Sequence, residues 1–171
     1  MLTQDEKDYL EKIPADKKVV IRSYDSSTAG IAGEFIAMIK SVDPRLEVVY
    51  LGASSLEISG QGDIDLSIMC PKSEFQANKE KLSKVLGKNI SGSSTIEWCF
   101  ERNGHEVSVY LADLTESSTA RQLKMQEILK KSPDLLREYE QLKEKAASLG
   151  YREYQRQKYE FYNKILNKFA K

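Results

Sequence analysis

Apolar and polar residues recur with two different spacings along the chain, and the spacing changes near residue 117. Before that point, short apolar runs are bounded by turn residues, which is typical of β-strands. These runs predict strands at residues 17–23, 47–51, 63–70, 95–101 and 106–111. Apolar residues at helical spacing predict helices at residues 2–12, 29–41 and 73–87. This first part of the chain therefore predicts a sheet whose strands are partly connected by helices.

Individual residues indicate the ends and the faces of several elements. Pro14 is expected to end the first helix, and Gly87 is expected to end the third. The strand at 47–51 is too apolar for the edge of a sheet in water, so we expect it away from the edge. The residues of the third helix expected to face the core are Phe75, Leu82, Val85 and Leu86.

The pair Asn103-Gly104 is a strong signal for a two-residue hairpin turn between the last two strands. A turn at this position places Glu101 opposite Glu106 and Trp98 opposite Val109. One face of the hairpin is then apolar, and it carries Ile96, Trp98, Phe100, Val107, Val109 and Leu111. We expect the other, polar face to lie on the side of the sheet that has no helices.

After residue 117 the chain is helical and highly charged. Helices are predicted from Ser117 to about Lys131, from Pro133 onward, and from Tyr151 onward. The predicted fold class is α/β or α+β, a small mixed sheet with helices packed on one face and a helical C-terminal extension. We expect a single domain over residues 1–171, with the sheet core at about 17–113 and the C-terminal helices at about 117–169.

The composition of the chain excludes several classes of function and partner. The chain has 171 residues, of which 40% are hydrophobic, enough for one domain with its own core. Lys plus Arg and Asp plus Glu both number 26, so the zero net charge argues against a nucleic-acid partner unless a local patch provides one. No apolar run suits a signal peptide or a membrane span, so no membrane partner is expected. One histidine and two cysteines argue against a zinc site, a histidine-based triad and a disulfide framework, and free thiols fit a cytoplasmic location.

The clearest chemical signal comes from Asp63 and Asp65. Side chains alternate along a strand, so both carboxylates lie on one face. Like charges this close repel each other, and a divalent cation such as Mg²⁺ (or Mn²⁺) is the usual compensation. The preceding turn, Gly52-Ala53-Ser54-Ser55, offers backbone N–H groups and hydroxyls to a phosphate. This combination indicates phosphoryl or nucleotidyl transfer; the alternative is an ordinary turn capped by Asp63, with Asp65 a solvated strand residue.

A third carboxylate is expected because two-metal nucleotidyl transfer usually uses three. Glu106 is the best candidate by position, since it begins the returning strand of the hairpin, with Glu97 and Glu101 behind it. The alternative is that Glu106 is simply an exposed hairpin residue.

The segment from Gly52 to Asp65 resembles the GrpB-like family of the nucleotidyltransferase superfamily. The residues that carry the resemblance are Gly52, Ser54, Gly60, Gly62, Asp63 and Asp65. Ala53 stands where the family usually has a serine. Gln61 stands where a lysine is common, which removes a positive charge from the loop. The family resemblance implies a nucleotidyltransferase-like fold.

The C-terminal helices resemble the same family, so the resemblance extends over roughly residues 17–168. The residues that carry it there are Tyr139, Lys143, Tyr154, Lys158 and Phe161 or Tyr162. Gln126 departs from the pattern, in which an arginine is usual. One hypothesis is that one or two of Lys143, Lys158 and Arg121 reach the substrate phosphates, and the alternative is that they form a solvated helix face.

These observations predict a metal-dependent nucleotidyltransferase that transfers a nucleoside monophosphate from a nucleoside triphosphate to an unknown acceptor. The predicted ligands of Mg²⁺ (or Mn²⁺) are Asp63, Asp65 and Glu106. The predicted nucleotide-binding residues are Gly52, Ser54, Ser55, Lys143 and Lys158. The alternative is a catalytically weakened nucleotide-binding or interaction module on the same fold, which Ala53, Gln61 and Gln126 favour. The acceptor, the preferred base and the oligomeric state stay open at this stage.

Overall fold

A computed structural model describes residues 1–91 and 96–169 and contains one mixed sheet. Its five strands are β1 (Glu47–Leu51), β2 (Ile64–Met69), β3 (Ile90–Ser91), β4 (Ile96–Arg102) and β5 (His105–Ala112). They lie in the order β1-β2-β5-β4-β3, and only the central pair, β2 with β5, is parallel. Because β2 and β5 are central and parallel, their first residues lie at the same end of the sheet.

The helices follow the predicted order with one addition, since Gly52–Ser55, which was predicted as a turn, forms a short helix. They are α1 (Gln4–Lys12), α2 (Ser27–Val42), the short α3 (Gly52–Ser55), α4 (Phe75–Leu86), α5 (Ser117–Lys131), α6 (Pro133–Ala147) and α7 (Tyr151–Phe169), with a 3-10 turn at Lys72–Glu74. Pro133 occupies the first turn of α6, and Gly87 caps α4 with a φ of +78°. No helix in the described part of the chain is long and apolar enough to cross a membrane. The predicted fold class, a small mixed sheet with a helical C-terminal extension, is confirmed.

The hairpin of β4 and β5 has the predicted register. Glu101 pairs with Glu106, Phe100 with Val107 and Trp98 with Val109. Trp98 is fully buried, and its indole Nε1 donates to the carbonyl of Gly87 at 3.1 Å. Thr95, the predicted first residue of β4, lies outside the described residues.

The main core lies between the apolar face of the sheet and helices α2 and α4. Its fully buried members include Ile39, Ile64, Leu66, Leu82 and Trp98. Val85 was predicted to face this core, but its side chain is 43% exposed. Leu86, the next residue, is buried at the end of α4. Because successive side chains of an α-helix point about 100° apart, Val85 points away from the core.

The predicted strand at residues 17–23 does not form. Its sheet-like pairing is a single bridge, in which Arg22 N donates to Gly60 O at 2.7 Å and Gly60 N donates to Arg22 O at 2.9 Å. Val19 instead packs against Ala146 and Tyr154 of the C-terminal helices, whereas Val20 is exposed. The segment is therefore extended but lies against helices rather than within the sheet.

The expectation that residues 47–51 avoid the sheet edge was also wrong. β1 pairs only with β2 and forms one edge. Its apolar side chains are covered from the faces instead, because Val48 and Tyr50 pack against the main core and Leu51 is buried. Of the five residues of β1, only Leu51 is buried, and Val48, Val49 and Tyr50 are partly exposed at this edge of the sheet.

A second core joins the segment after β1 to the C-terminal helices. Leu56 and Ile58 are buried there against residues of α5, α6 and α7. The helical members are Met125, Ile128, Leu129, Tyr139, Phe161 and Ile165. The segment from Gly52 to Gly62, which carries the predicted phosphate-binding turn, is thereby held between the sheet and the C-terminal helices.

Candidate functional site

The turn after β1 reaches the carboxylate of Asp65 directly. Leu51, the last residue of β1, pairs with Asp65 on β2, and Gly52 follows with a φ of +81°. A Cβ atom added to Gly52 would lie 2.9 Å from Asp65 Oδ2, so only glycine fits this position without a shift. The structure therefore brings the predicted phosphate-binding turn and the predicted metal ligand into contact.

Asp63 lies close enough to Asp65 to affect the ionisation of Asp65. Burial raises the pKa of Asp65 to about 7, and the charge of Asp63 contributes to the rise. Glu106 and Glu97 raise this pKa further, whereas Lys158 lowers it. The acidic residues predicted from the hairpin register thus share the electrostatic environment of Asp65. The expectation that this polar face has no helices was wrong, because Tyr9 of α1, Gln122 of α5 and Tyr159 of α7 line a cavity together with Asp65.

The serine hydroxyls of the turn are used within the protein. Ser54 is buried, and its Oγ donates to the carbonyl of Asp63 at 2.6 Å. Ser55 Oγ donates to Gly52 O at 3.0 Å and accepts from the amide Nε2 of Gln126. Both hydroxyls therefore donate their hydrogens to backbone carbonyls, and these bonds stabilise the conformation of the turn. Gln126, which replaces a common arginine, is a buried part of this arrangement.

Lys143 is a buried anchor for the loop before Asp63. Only 1% of its surface is exposed, and its ammonium donates to the carbonyl of Ser59. The same serine donates from its backbone to Glu140 at 2.7 Å and from its hydroxyl to Glu144 at 2.9 Å. Burial lowers the pKa of Lys143 to about 8. The loop at Ser59 is therefore fixed to α6 by three side chains.

Lys158 occupies a different position, near Asp65. It is half-buried on α7, and its ammonium lies 5.8 Å from the ring centroid of Tyr162. Burial acts to lower the pKa of Lys158, but the neighbouring tyrosine hydroxyls and Asp65 raise it overall. Of the two predicted phosphate-binding lysines, Lys158 is the one whose charge is coupled to Asp65.

Glu106 faces the site from the second position of β5. It is exposed and lines a cavity of about 350 Å³ together with Asp63, Gln61 and Arg22. Within residues 1–91 and 96–169, no group of three or more His, Cys, Asp or Glu side chains is arranged to hold a metal ion. The described residues thus contain no preformed three-carboxylate cage.

The carboxylates of Asp63 and Asp65 nevertheless fit a magnesium ion that has phosphates and water as its other ligands. Mg²⁺ is usually bound through one or two carboxylates, with substrate phosphates and water as its remaining ligands. Asp63 and Asp65 provide two mutually repelling carboxylates, and Gly52 has no side chain at the point where the turn meets Asp65. The pair therefore suits a magnesium ion that arrives with a triphosphate.

Two residues at the site were not predicted. His105 is buried, with Nδ1 2.7 Å from the carbonyl of Gly62 and Nε2 3.2 Å from Asp25 Oδ2. Because a carbonyl only accepts, Nδ1 carries the hydrogen of the first bond. Arg22 also lies beside Gly62, where a Cβ would be 3.6 Å from Arg22 Cδ. The Arg22 guanidinium supplies a positive charge to the cavity that Gln61 also lines, and no sequence pattern indicates a role for either Arg22 or His105.

Comparison with known proteins identifies the family and the fold of this chain. Residues 18–168 match the family model described as GrpB protein. The chain belongs to the GrpB protein family. The crystal structure of conserved protein GrpB from Enterococcus faecalis matches this GrpB-family chain with a TM-score of 0.66 and 13% identity, and the match covers 89% of this chain and 100% of that one. No curated protein matches the chain significantly.

The fold is also similar to that of Cid1, an RNA terminal uridylyl transferase. One Cid1 structure has a TM-score of 0.50 and 11% identity, and the match covers 77% of this chain and 44% of Cid1. This GrpB-family chain thus spans less than half the length of Cid1, and the likeness is one of fold alone. The GrpB-family chain therefore has a nucleotidyltransferase-like fold, as the resemblance implied.

Proposed function

We propose that this GrpB-family protein is a metal-dependent nucleotidyltransferase that transfers a nucleoside monophosphate from a nucleoside triphosphate to an acceptor. The observation that carries the proposal is the contact between the Gly52 turn and Asp65, with Asp63 beside it. A backbone turn that meets paired carboxylates suits a triphosphate and a divalent cation at one place.

Each side chain has a role that follows from its position. Asp63 and Asp65 hold Mg²⁺ (or Mn²⁺), and Glu106 approaches from the shared cavity as the third acid. The turn at Gly52, Ser54 and Ser55 receives the triphosphate. Lys158 contributes positive charge near Asp65, whereas Lys143 acts through the loop that it anchors.

The protein contributes mainly position and charge. Bound Mg²⁺ supplies positive charge that stabilises the charge developing on the phosphates. The rigid turn places the α-phosphorus near the carboxylates, and Glu106 lies where an acceptor hydroxyl can enter through the cavity of about 350 Å³. Arg22, on the wall of the same cavity, offers a cation to an anionic group of the acceptor. We place the protein in the cytoplasm, consistent with its two free thiols, Cys70 and Cys99.

A second candidate is a nucleotide-binding or interaction module with weakened catalysis. The specific observation in its favour is that the hydroxyls of Ser54 and Ser55 already donate within the protein. Such a module binds the nucleotide with magnesium but releases no pyrophosphate.

The test combines melting curves with a pyrophosphate assay. Wild type is expected to melt at a higher temperature with Mg²⁺ and a nucleoside triphosphate, because ligands that bind only the native state stabilise it. Asp65→Asn is expected to lose this response while the ligand-free protein stays as stable or becomes more stable, since a buried repulsion is removed.

The matched control is Asp43→Asn, which alters an aspartate paired with Arg45 outside the site. This variant is expected to keep the ligand response. Pyrophosphate release by wild type, absent in Asp65→Asn, supports the transferase, and binding without release supports the second candidate. A wild-type melting curve that no triphosphate shifts contradicts both candidates.

A further inference from the structure

A cavity of about 560 Å³ lies between α1, α5 and α7, beside the site but not part of the roles assigned above. Its walls include Tyr9 of α1, Gln122 of α5, and Lys158, Tyr159 and Tyr162 of α7. Its volume is in the range of small-molecule pockets. Helix α1, which forms one wall of the cavity, lies outside residues 18–168, the part of the chain that matches the family model.

Helix α1 is firmly attached to α7 and forms a defined wall. A capping box at Thr3 and Glu6 fixes its first turn. Asn163 of α7 donates to Met1 O at 3.0 Å and to Glu6 Oε2 at 2.8 Å, and Arg121 lies 3.7 Å from the same carboxylate. These contacts hold Tyr9 at the mouth of the cavity.

The cavity adjoins the proposed phosphate site. A second cavity of about 580 Å³ contains Asp65 and shares four lining residues with the first. The shared residues are Tyr9, Ser118, Gln122 and Tyr159. Lys158 lines the first cavity and is electrostatically coupled to Asp65. A molecule with phosphates at Asp65 can therefore extend past Lys158 towards the tyrosines.

The lining suits a flat heterocycle with a polar edge. The rings of Tyr9 and Tyr159 pack edge to face, with centroids 6.2 Å apart and planes at 74°, and so form a continuous aromatic wall. Tyr162 adds a third ring. Gln122 and Ser118 offer amide and hydroxyl groups that can hydrogen-bond a base edge.

We propose that this cavity binds the nucleobase of the nucleoside triphosphate, with the base packed on the wall of Tyr9 and Tyr159 and its edge hydrogen-bonded by Gln122. This inference rests on the proposed function, and it makes α1 part of the substrate site. The cavity next to Asp63 and Glu106 has one aromatic residue in its lining, Phe100, against three in this cavity, so it is the less suitable place for the base.

The test compares nucleoside triphosphates with inorganic triphosphate, which has no base. Dissociation constants are measured with Mg²⁺ for ATP, GTP, CTP, UTP and inorganic triphosphate. Tyr9→Leu is expected to weaken nucleotide binding about tenfold or more and to leave inorganic triphosphate unchanged, because only base stacking is lost. Tyr9→Phe keeps the ring and is expected to bind like wild type.

Two further variants sharpen the result. Gln122→Leu is expected to change the order of affinity among the four nucleotides, since it removes the group that bonds the base edge. Lys7→Ala alters an exposed residue of α1 that does not line the cavity, and it is expected to bind like wild type.

The outcomes separate this proposal from the proposed function. If wild type binds nucleotides through Asp65 but Tyr9→Leu binds them equally well, the base site is overturned and the proposed function stands. If wild type binds neither nucleotides nor inorganic triphosphate, both are overturned. Unchanged binding of inorganic triphosphate by Tyr9→Leu also shows that this variant is folded.

Discussion

The hydroxyl of Ser54 donates to the backbone carbonyl of Asp63 at 2.6 Å, and this bond ties the turn after β1 to the start of β2. The two residues are the predicted phosphate-binding and metal-binding positions. This hydrogen bond, together with the pairing of β1 and β2, therefore holds the two halves of the proposed site next to each other.

Removing that bond should affect both stability and binding. Ser54→Ala is expected to destabilise the protein by about 1 to 3 kcal/mol, because the carbonyl of Asp63 loses its buried partner. It is also expected to weaken magnesium-dependent nucleotide binding. Denaturant midpoints and ligand titrations measure the two effects.

Ser148→Ala is the control, since Ser148 makes a comparable bond to Lys145 O in an exposed setting. It should leave binding unchanged and alter stability by less than about 1 kcal/mol. Equal losses of stability and of nucleotide binding in Ser54→Ala and Ser148→Ala would contradict a role of the Ser54 hydrogen bond in the site.

Gly52 should tolerate no side chain. Gly52→Ala combines a positive φ of 81° with a Cβ only 2.9 Å from Asp65 Oδ2, so it is expected to destabilise by about 1 kcal/mol or more and to displace the carboxylate. Nucleotide-dependent stabilisation should be lost with it. Thermal melts with and without Mg²⁺ and nucleotide measure both changes.

Gly33→Ala provides the matched glycine control. Gly33 lies within α2, and a Cβ there meets nothing within 4 Å. Since alanine favours helices over glycine, this variant should be as stable as wild type or more stable by up to about 1 kcal/mol. A Gly52 variant that behaves like it would contradict the contact with Asp65.

Lys143 should make the free energy of unfolding depend on pH in the alkaline range. The pKa of this lysine is about 8 in the folded protein and 10.5 in its ordinary state. The unfolded chain therefore binds more protons between these values, so wild type should gain stability relative to Lys143→Met as pH rises from 8 to 10.5. The full change should be about 2 to 3 kcal/mol.

The measurement is the difference between the two unfolding free energies across this pH range. Lys164→Met serves as the control, because Lys164 is exposed and pairs with Glu138 on the surface. Its difference from wild type should show no comparable rise. A flat difference for Lys143→Met would contradict burial of a charged ammonium at this position.

The hairpin register predicts opposite consequences for two neighbouring residues. Trp98→Ala should destabilise by about 3 to 5 kcal/mol, because Trp98 is fully buried in the main core. Glu97→Ala, on the polar face, should change stability by less than about 1 kcal/mol. Denaturant midpoints measure both, and similar losses at the two positions would contradict the register.

Local chemistry explains which parts of the fold could be predicted. Asn103-Gly104 forces a two-residue turn, and a fixed turn determines every pair along β4 and β5. Pro133 and the residues around it likewise determine where α6 begins. These elements depend on neighbours within a few residues, so the sequence determined them by itself. The alternation of Asp63 and Asp65 on one face is of the same kind.

Tertiary structure decided the features that depend on distant residues. Residues 17–23 have strand-like composition, but the C-terminal helices provide a better apolar surface for Val19 than the sheet does. Lys143 lies in a highly charged helix, where a lysine is usually exposed, but it is buried because its ammonium donates to the carbonyl of Ser59 and lies near two glutamates. The hydrogen bonds of Ser54 and His105 join segments that are separate in sequence. Because burial and charge pairing of these groups arise only when the segments pack together, no local pattern could indicate them.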